Sequence, residues 1–175
     1  NLFFDDLENT ASTNWTTTTA AGVSHWNGGD GTEGLYWPDF PKSGAYSFWG
    51  YDYGSVGDSA VKGTGDVVLP AGARLQFNHA YQFEAPSYDG GVIEYSTNSG
   101  GSWADAGSLI SAGAAYNGVI ASDWGNPLAG RNAFVDGNKI YTASQLNLGS
   151  LAGQNVRFRF RMGTDSSFNA DGWFI

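Results

Sequence analysis

The stretch 73–103 constrains this chain most. From Arg74 to Glu84 two kinds of residue alternate: Leu75, Phe77, His79, Tyr81 and Phe83 share one parity, and Arg74, Gln76, Asn78, Gln82 and Glu84 the other. Successive side chains leave a pleated backbone on opposite sides, so this period of two predicts a long strand with one buried face. A turn-rich break over 85–91 follows, then Val92 to Thr97 predicts a second strand, and Asn98-Ser99-Gly100-Gly101 a tight turn before Trp103. The two strands are expected to pair as an antiparallel meander with one wet face.

Ser96 to Trp103 resembles the Asp-box hairpin of sialidase propellers, with Asn98 where that motif has an aspartate. Its small residues suit a tight turn, and Trp103 can pack back over the strands, so the motif is read as architectural. A propeller would repeat such a box at a blade-length period, and the sequence has one.

At 175 residues the chain has the size of one domain, residues 1–175, with enough length to bury a substantial core. Glycine is abundant at 26 residues, and no stretch sustains a 3.6-residue period, so many short strands joined by glycine turns predict an all-β sandwich. Further strands are expected at Leu2-Phe3-Phe4, Trp15 to Thr19, Ala45 to Gly50, Asp66 to Pro70 and Lys139 to Leu148. Asn155 to Gly163 is the clearest of the rest, with Val156, Phe158, Phe160 and Met162 inward and Arg157, Arg159 and Arg161 outward. In an acidic chain that arginine row is expected to pair across strands with Glu94 or Glu84. The terminal Gly172-Trp173-Phe174-Ile175 reads as the start of a buried strand, while 107–139 resists assignment apart from a long loop at 123–130.

With 17 acidic and 8 basic residues the formal charge is -9, which argues against nucleic acid or anionic membranes as partners, because phosphates need clustered Lys and Arg. No run of about 18 apolar residues marks a membrane span, so no membrane insertion is expected, and any export signal would lie upstream of Asn1. Cysteine is absent, so thiolate chemistry is excluded. Zinc-protease, nucleophile-elbow and phosphate-loop motifs are absent too. His79 lies on the apolar side of its strand and is expected as a hydrogen-bonded core residue.

Two kinds of site remain. The region from His25 to Tyr53 is rich in aromatic residues, and Trp37, Tyr51 and Tyr53 stand beside glycines or prolines, which makes them candidates for a platform that stacks sugar rings or peptide side chains. Acids cluster at Asp5, Asp6 and Glu8 and again between Asp165 and Asp171, the second segment ending Asn-x-Asp-Gly. Calcium takes six to eight oxygens from such loops, so Asp6, Glu8, Asp165 and Asp171 are candidate ligands for one structural ion tying the two ends of the chain.

Three stretches together, 88–103, 151–161 and 171–175, resemble the MAM-like jelly-roll accessory domains appended to secreted bacterial proteases of the immune inhibitor A, fungalysin-like and subtilisin-like kinds. The resemblance implies an antiparallel two-sheet jelly-roll β-sandwich that works outside the cell without catalysis, binding protein substrate or polysaccharide, often with calcium. It also implies Glu8 and Asp171 as cation ligands, and the chain is expected to be a monomer or part of a larger chain. The rivals are an adhesion or inter-domain spacer without a small ligand, and a hydrolase whose acids carry no recognisable spacing.

Overall fold

The computed structural model describes residues 2–26 and 34–175, so part of the predicted aromatic loop, 27–33, lies outside the described residues. The strands are β1 (Trp15–Gly22), β2 (Tyr36–Trp37), β3 (Ser47–Asp52), β4 (Gly57–Gly63), β5 (Val67–Val68), β6 (Arg74–Gln82) and β7 (Gly90–Ser96) in the first half. They continue as β8 (Ala104–Asp105), β9 (Ile110–Gly113), β10 (Gly118–Val119), β11 (Asn132–Val135), β12 (Thr142–Asn147), β13 (Asn155–Thr164) and β14 (Ala170–Phe174). They form two antiparallel sheets: one in the order β1-β4-β13-β7-β11-β10, with β5 beside β13 and β8 beside β7, the other in the order β2-β3-β14-β6-β12-β9. The molecule is the expected jelly-roll sandwich. Among the described residues no helix is long and apolar enough to cross a membrane.

The sheets meet through the inward parity of β6 and β13. Phe77 and Phe160 pack edge to face with centroids 5.0 Å apart, and Val156 and Met162 are buried beside them. Trp173 of β14 is the hub: its indole contacts Trp26, Phe83, Phe134, Phe160 and His79. The hub dictates a glycine on the facing strand, since a Cβ on Gly91 would sit 2.5 Å from the indole ring. His79 is the hydrogen-bonded core histidine expected. Trp173 Nε1 donates to His79 Nδ1 at 3.0 Å, so that nitrogen is unprotonated. The proton is therefore on Nε2, which faces Ser144 Oγ at 2.9 Å, and the Ser144 hydroxyl donates in turn to the Ala114 carbonyl.

Several expectations are corrected. β6 and β7 do not form a meander: β6 lies between β14 and β12 in one sheet and β7 between β13 and β11 in the other. Period two says which face of a strand is buried and nothing about which sheet it joins. Nor does β7 have a wet face. Val92 lies under a second apolar cluster of Ile120, Leu128, Ala133 and Val135, supplied by the segment that resisted assignment. Leu2, Phe3 and Phe4 form no strand and are exposed; Phe3 rests its edge on Trp15 in the absence of a ladder. Extended structure also fails at Lys139, whose φ of 58° turns the chain, so Ile140 is exposed and the strand begins at Thr142.

The arginine row pairs as expected with Glu94, but not with Glu84. Glu94 is buried, and its carboxylate accepts from Arg131, Arg159 and Arg161, while Arg161 also grips Asp58 and Arg157 holds Asp66. Burial works against the Glu94 charge, yet the Arg131 hydrogen bond and the Arg159 and Arg131 charges outweigh it and hold the carboxyl below its ordinary range. The hairpin after β7 is closed by Asn98, whose Oδ1 accepts from Ser102 N at 2.8 Å, and Trp103 stacks on Arg159, 4.4 Å from the guanidinium carbon. This outer face is a closed network of charge pairs.

Two outcomes follow. Glu94→Gln leaves three guanidinium groups short of their shared carboxylate and is expected to lower unfolding free energy by about 2–4 kcal/mol in denaturant titrations, toward the lower end because the arginines stay partly wet. His79 has its pKa pushed down to about 4 by burial. The unfolded chain then binds a proton below about 6.5 that the native chain refuses until about 4, so stability falls as pH drops through that window, by up to about 3 kcal/mol. Nitrogen NMR should report the Nε2–H tautomer, with the ring neutral at pH 5; a ring charged at pH 6 would contradict the core hydrogen-bond chain.

Candidate functional site: an aromatic face and a carboxylate cage

The outer face of the second sheet carries rings where the first carries charges. Along β3 the parity splits: Phe48, Gly50 and Asp52 are buried, while Trp49 and Tyr51 are half-buried on the other side. Trp37 of β2 lies 4.5 Å from Trp49 between centroids, Trp49 5.2 Å from Tyr51, and Tyr51 4.7 Å from Tyr53. The three predicted rings are thus brought together through a fourth, Trp49, which lies in the expected strand Ala45 to Gly50 and is not among the platform candidates. Phe174 of β14 stacks on Trp49 within 8° of parallel and leads on to Phe40 and Tyr141.

Hydrogen bonds pin the row. Trp49 Nε1 donates to the Asp171 carbonyl, and Asn169 Nδ2 donates to the Tyr51 hydroxyl. Beyond the rings, the outward parity of β6 presents Gln76, Asn78 and Gln82, all exposed, and Gln145 of β12 contacts Gln76. Lys139 sits over Phe40 and Phe174, with its ammonium 3.0 Å from Asp171. The face joins aromatic edges to side-chain amides.

The second feature lies at one end of the sandwich. Among the connections that cross between the sheets there, three bring these acids together: β3 to β4, β6 to β7, and β13 to β14. The register places them together, with Ala170 opposite Asp52, Gly172 opposite Gln82, Gly163 opposite Gly90 and Thr164 opposite Gly57. Each crossing brings acids: Asp52 from the first, Glu84 and Asp89 from the second, Asp165 from the third. Glu84, Asp89 and Asp165 each offer a carboxylate oxygen within 4.8 Å of the others, and Asp52 adjoins Asp89.

One oxygen of each buried aspartate is held by the fold. Asp52 Oδ2 accepts from Glu84 N at 2.9 Å; Asp89 Oδ1 from Asp165 N at 2.7 Å and from Asn126 Nδ2 at 3.2 Å; Asp165 Oδ1 from Ser167 N at 2.8 Å. Asn126 comes from the long loop at 123–130, and its amide also donates to the Tyr88 and Gly163 carbonyls. The remaining oxygens, Asp52 Oδ1, Glu84 Oε2, Asp89 Oδ2 and Asp165 Oδ2, are buried without a hydrogen-bond partner. Burial pushes Glu84 up to about 7, with the Asp165 and Asp89 charges adding to it. Asp89 and Asp52 are raised as well, by burial first.

Of the four predicted cation ligands, only Asp165 enters this group. Asp6 is exposed and caps Glu8 N; Glu8 accepts from the amides of Ala45 and Tyr46, stapling the first residues to the loop before β3; Asp171 pairs with Lys139. Asp5, beside them, accepts from Trp15 Nε1. Asp52, Glu84 and Asp89 were missed because they stand 32 and 5 residues apart in sequence, joined only by topology. One signal was there: Asp52 has the inward parity of Phe48, which sets an acid on a core face.

Neither the carboxylate cage nor the aromatic face can be matched to a precedent, for no protein-family model, curated protein or solved structure matches the chain.

Proposed function

We propose that this chain is a non-catalytic binding module whose working surface is the aromatic and amide face of the second sheet, and whose partner is a polysaccharide. The observation that carries this is the ring row Trp37–Trp49–Tyr51–Tyr53 beside the exposed amides of β6. A sugar ring has an apolar C–H face and a rim of hydroxyls, so it needs aromatic surface to stack on and neutral donors and acceptors to bond. Rings held by packing lose little rotamer freedom on binding, and amides serve hydroxyls as donor and acceptor at once.

The setting, an accessory domain of a secreted hydrolase outside the cell, rests on the resemblance of 88–103, 151–161 and 171–175 to such domains. A spacer role has one observation in its favour: the rings are half-buried against each other, an arrangement that also suits a sheet face covering itself.

Affinity gels cast with neutral polysaccharides, and pull-downs on protein substrates, separate these readings. Retention by a neutral glycan is expected, with Trp37→Ala and Tyr51→Ala each weakening it about tenfold, which corresponds to about 1.4 kcal/mol. Silence across glycans and proteins supports the spacer, and turnover of peptide or glycoside substrates by the purified chain would establish an enzyme instead.

A further inference from the structure

We infer that Glu84, Asp89 and Asp165, with Asp52 alongside, form a calcium site that ties together three of the crossings between the sheets. The donor set differs from the one expected from sequence, and the inference rests on the arrangement of oxygens rather than on the number of acids. Asp52 and Asp89 are 0% exposed and Asp165 1%. In each, one oxygen is fixed by backbone or side-chain amides while the other is buried with no donor to meet it. A buried carboxylate oxygen without a hydrogen bond is costly, and here one on each aspartate and one on Glu84 share the same end of the sandwich. A single cation would satisfy Glu84, Asp89 and Asp165 together, with Asp52 outside the group of three.

The chemistry of the donors selects the ion. All are carboxylate oxygens, hard ligands with no imidazole or thiolate among them, which favours calcium or magnesium over zinc or copper. Donor oxygens within 4.8 Å of one another match an ion bound at about 2.3–2.6 Å. Magnesium keeps several waters and binds through one or two carboxylates, whereas calcium accepts a carboxylate-rich shell of irregular geometry, as three loops at a sandwich rim provide. Asn126, which donates to the held oxygen of Asp89, orients that ligand from outside the shell.

The test uses the 175-residue chain stripped with EDTA. Calorimetric titration with calcium chloride should show one ion bound per chain, and calcium at about 100 times its Kd should raise Tm by about 5–10 °C over EDTA. Magnesium at the same concentration should give less than half that shift. Asp89→Asn should weaken calcium binding at least tenfold. In EDTA it should melt no lower than the wild type, because an amide there still offers an oxygen to the Asp165 and Asn126 donors and places no charge among the other acids, an outcome a merely structural aspartate would not give. Glu84→Gln, at a half-buried position, supplies the same comparison if Asp89→Asn fails to fold. No binding heat together with equal Tm in calcium and EDTA would overturn the inference, as would a wild-type calcium response in the folded variant. A magnesium shift equal to that of calcium would overturn the choice of ion.

Discussion

Carboxylates crowded together, three of them buried, govern one end of this molecule, where the chain passes between the two sheets. Three of the connections that pass from one sheet to the other at this rim bring acids to it, and each acid keeps a buried oxygen that no amide or hydroxyl reaches. Like charges so placed repel, and burial adds to the difficulty by disfavouring the charged form. The fold nevertheless orients them with care: the amides of Glu84, Asp165 and Ser167 each hold one oxygen of an aspartate and leave its partner turned elsewhere. Such an arrangement makes the crossings depend on whatever neutralises the cage. A proton shared between carboxyls would do so weakly, and a divalent cation more completely.

The same rim reaches the ring row. Asp52 stands between Tyr51 and Tyr53, and the segment after Asp165 carries Asn169, which bonds the Tyr51 hydroxyl. The far side of the sandwich is organised differently: there Glu94 gathers three arginines, and one of them, Arg159, sits over the Trp103 ring. Charges paired within one face have little left for an anionic partner, whereas the opposite face offers ring edges and amides. The division follows from strand parity. Outward positions on β13 are arginines, and outward positions on β3 and β6 are aromatic residues and amides.

Sequence alone revealed the class of fold because alternation is a local property: Leu75 to Phe83 and Val156 to Met162 announce their buried sides without reference to anything distant. It also picked out Trp37, Tyr51 and Tyr53: the last two are near in the chain as in space, and Trp37 joins them only through Trp49. What it could not reveal was partnership across sheets. β6 and β7 follow each other in sequence yet part company, since the turn between them crosses the core rather than folding back. Glu84 and Asp89 are unremarkable in sequence because only that crossing makes them neighbours of Asp165, and Asp52 signals no more than an acid on a core face. Clustering along the chain set Asp6 and Glu8 together, and each gives one oxygen to a local or loop amide, away from the crossing rim. The unassigned stretch 107–139 lacks long alternating runs, so its contribution, a lid of Ile120, Leu128 and Val135 over Val92, emerges only from packing.

The central claim is that the cage at the crossing rim is built around an ion. X-ray diffraction from crystals grown with calcium, read through an anomalous difference map, addresses it most directly. The account predicts one peak, with oxygens of Glu84, Asp89 and Asp165 at about 2.3–2.6 Å from it. Carboxyl groups joined to each other by hydrogen bonds, or a water at that position without anomalous signal, would contradict it.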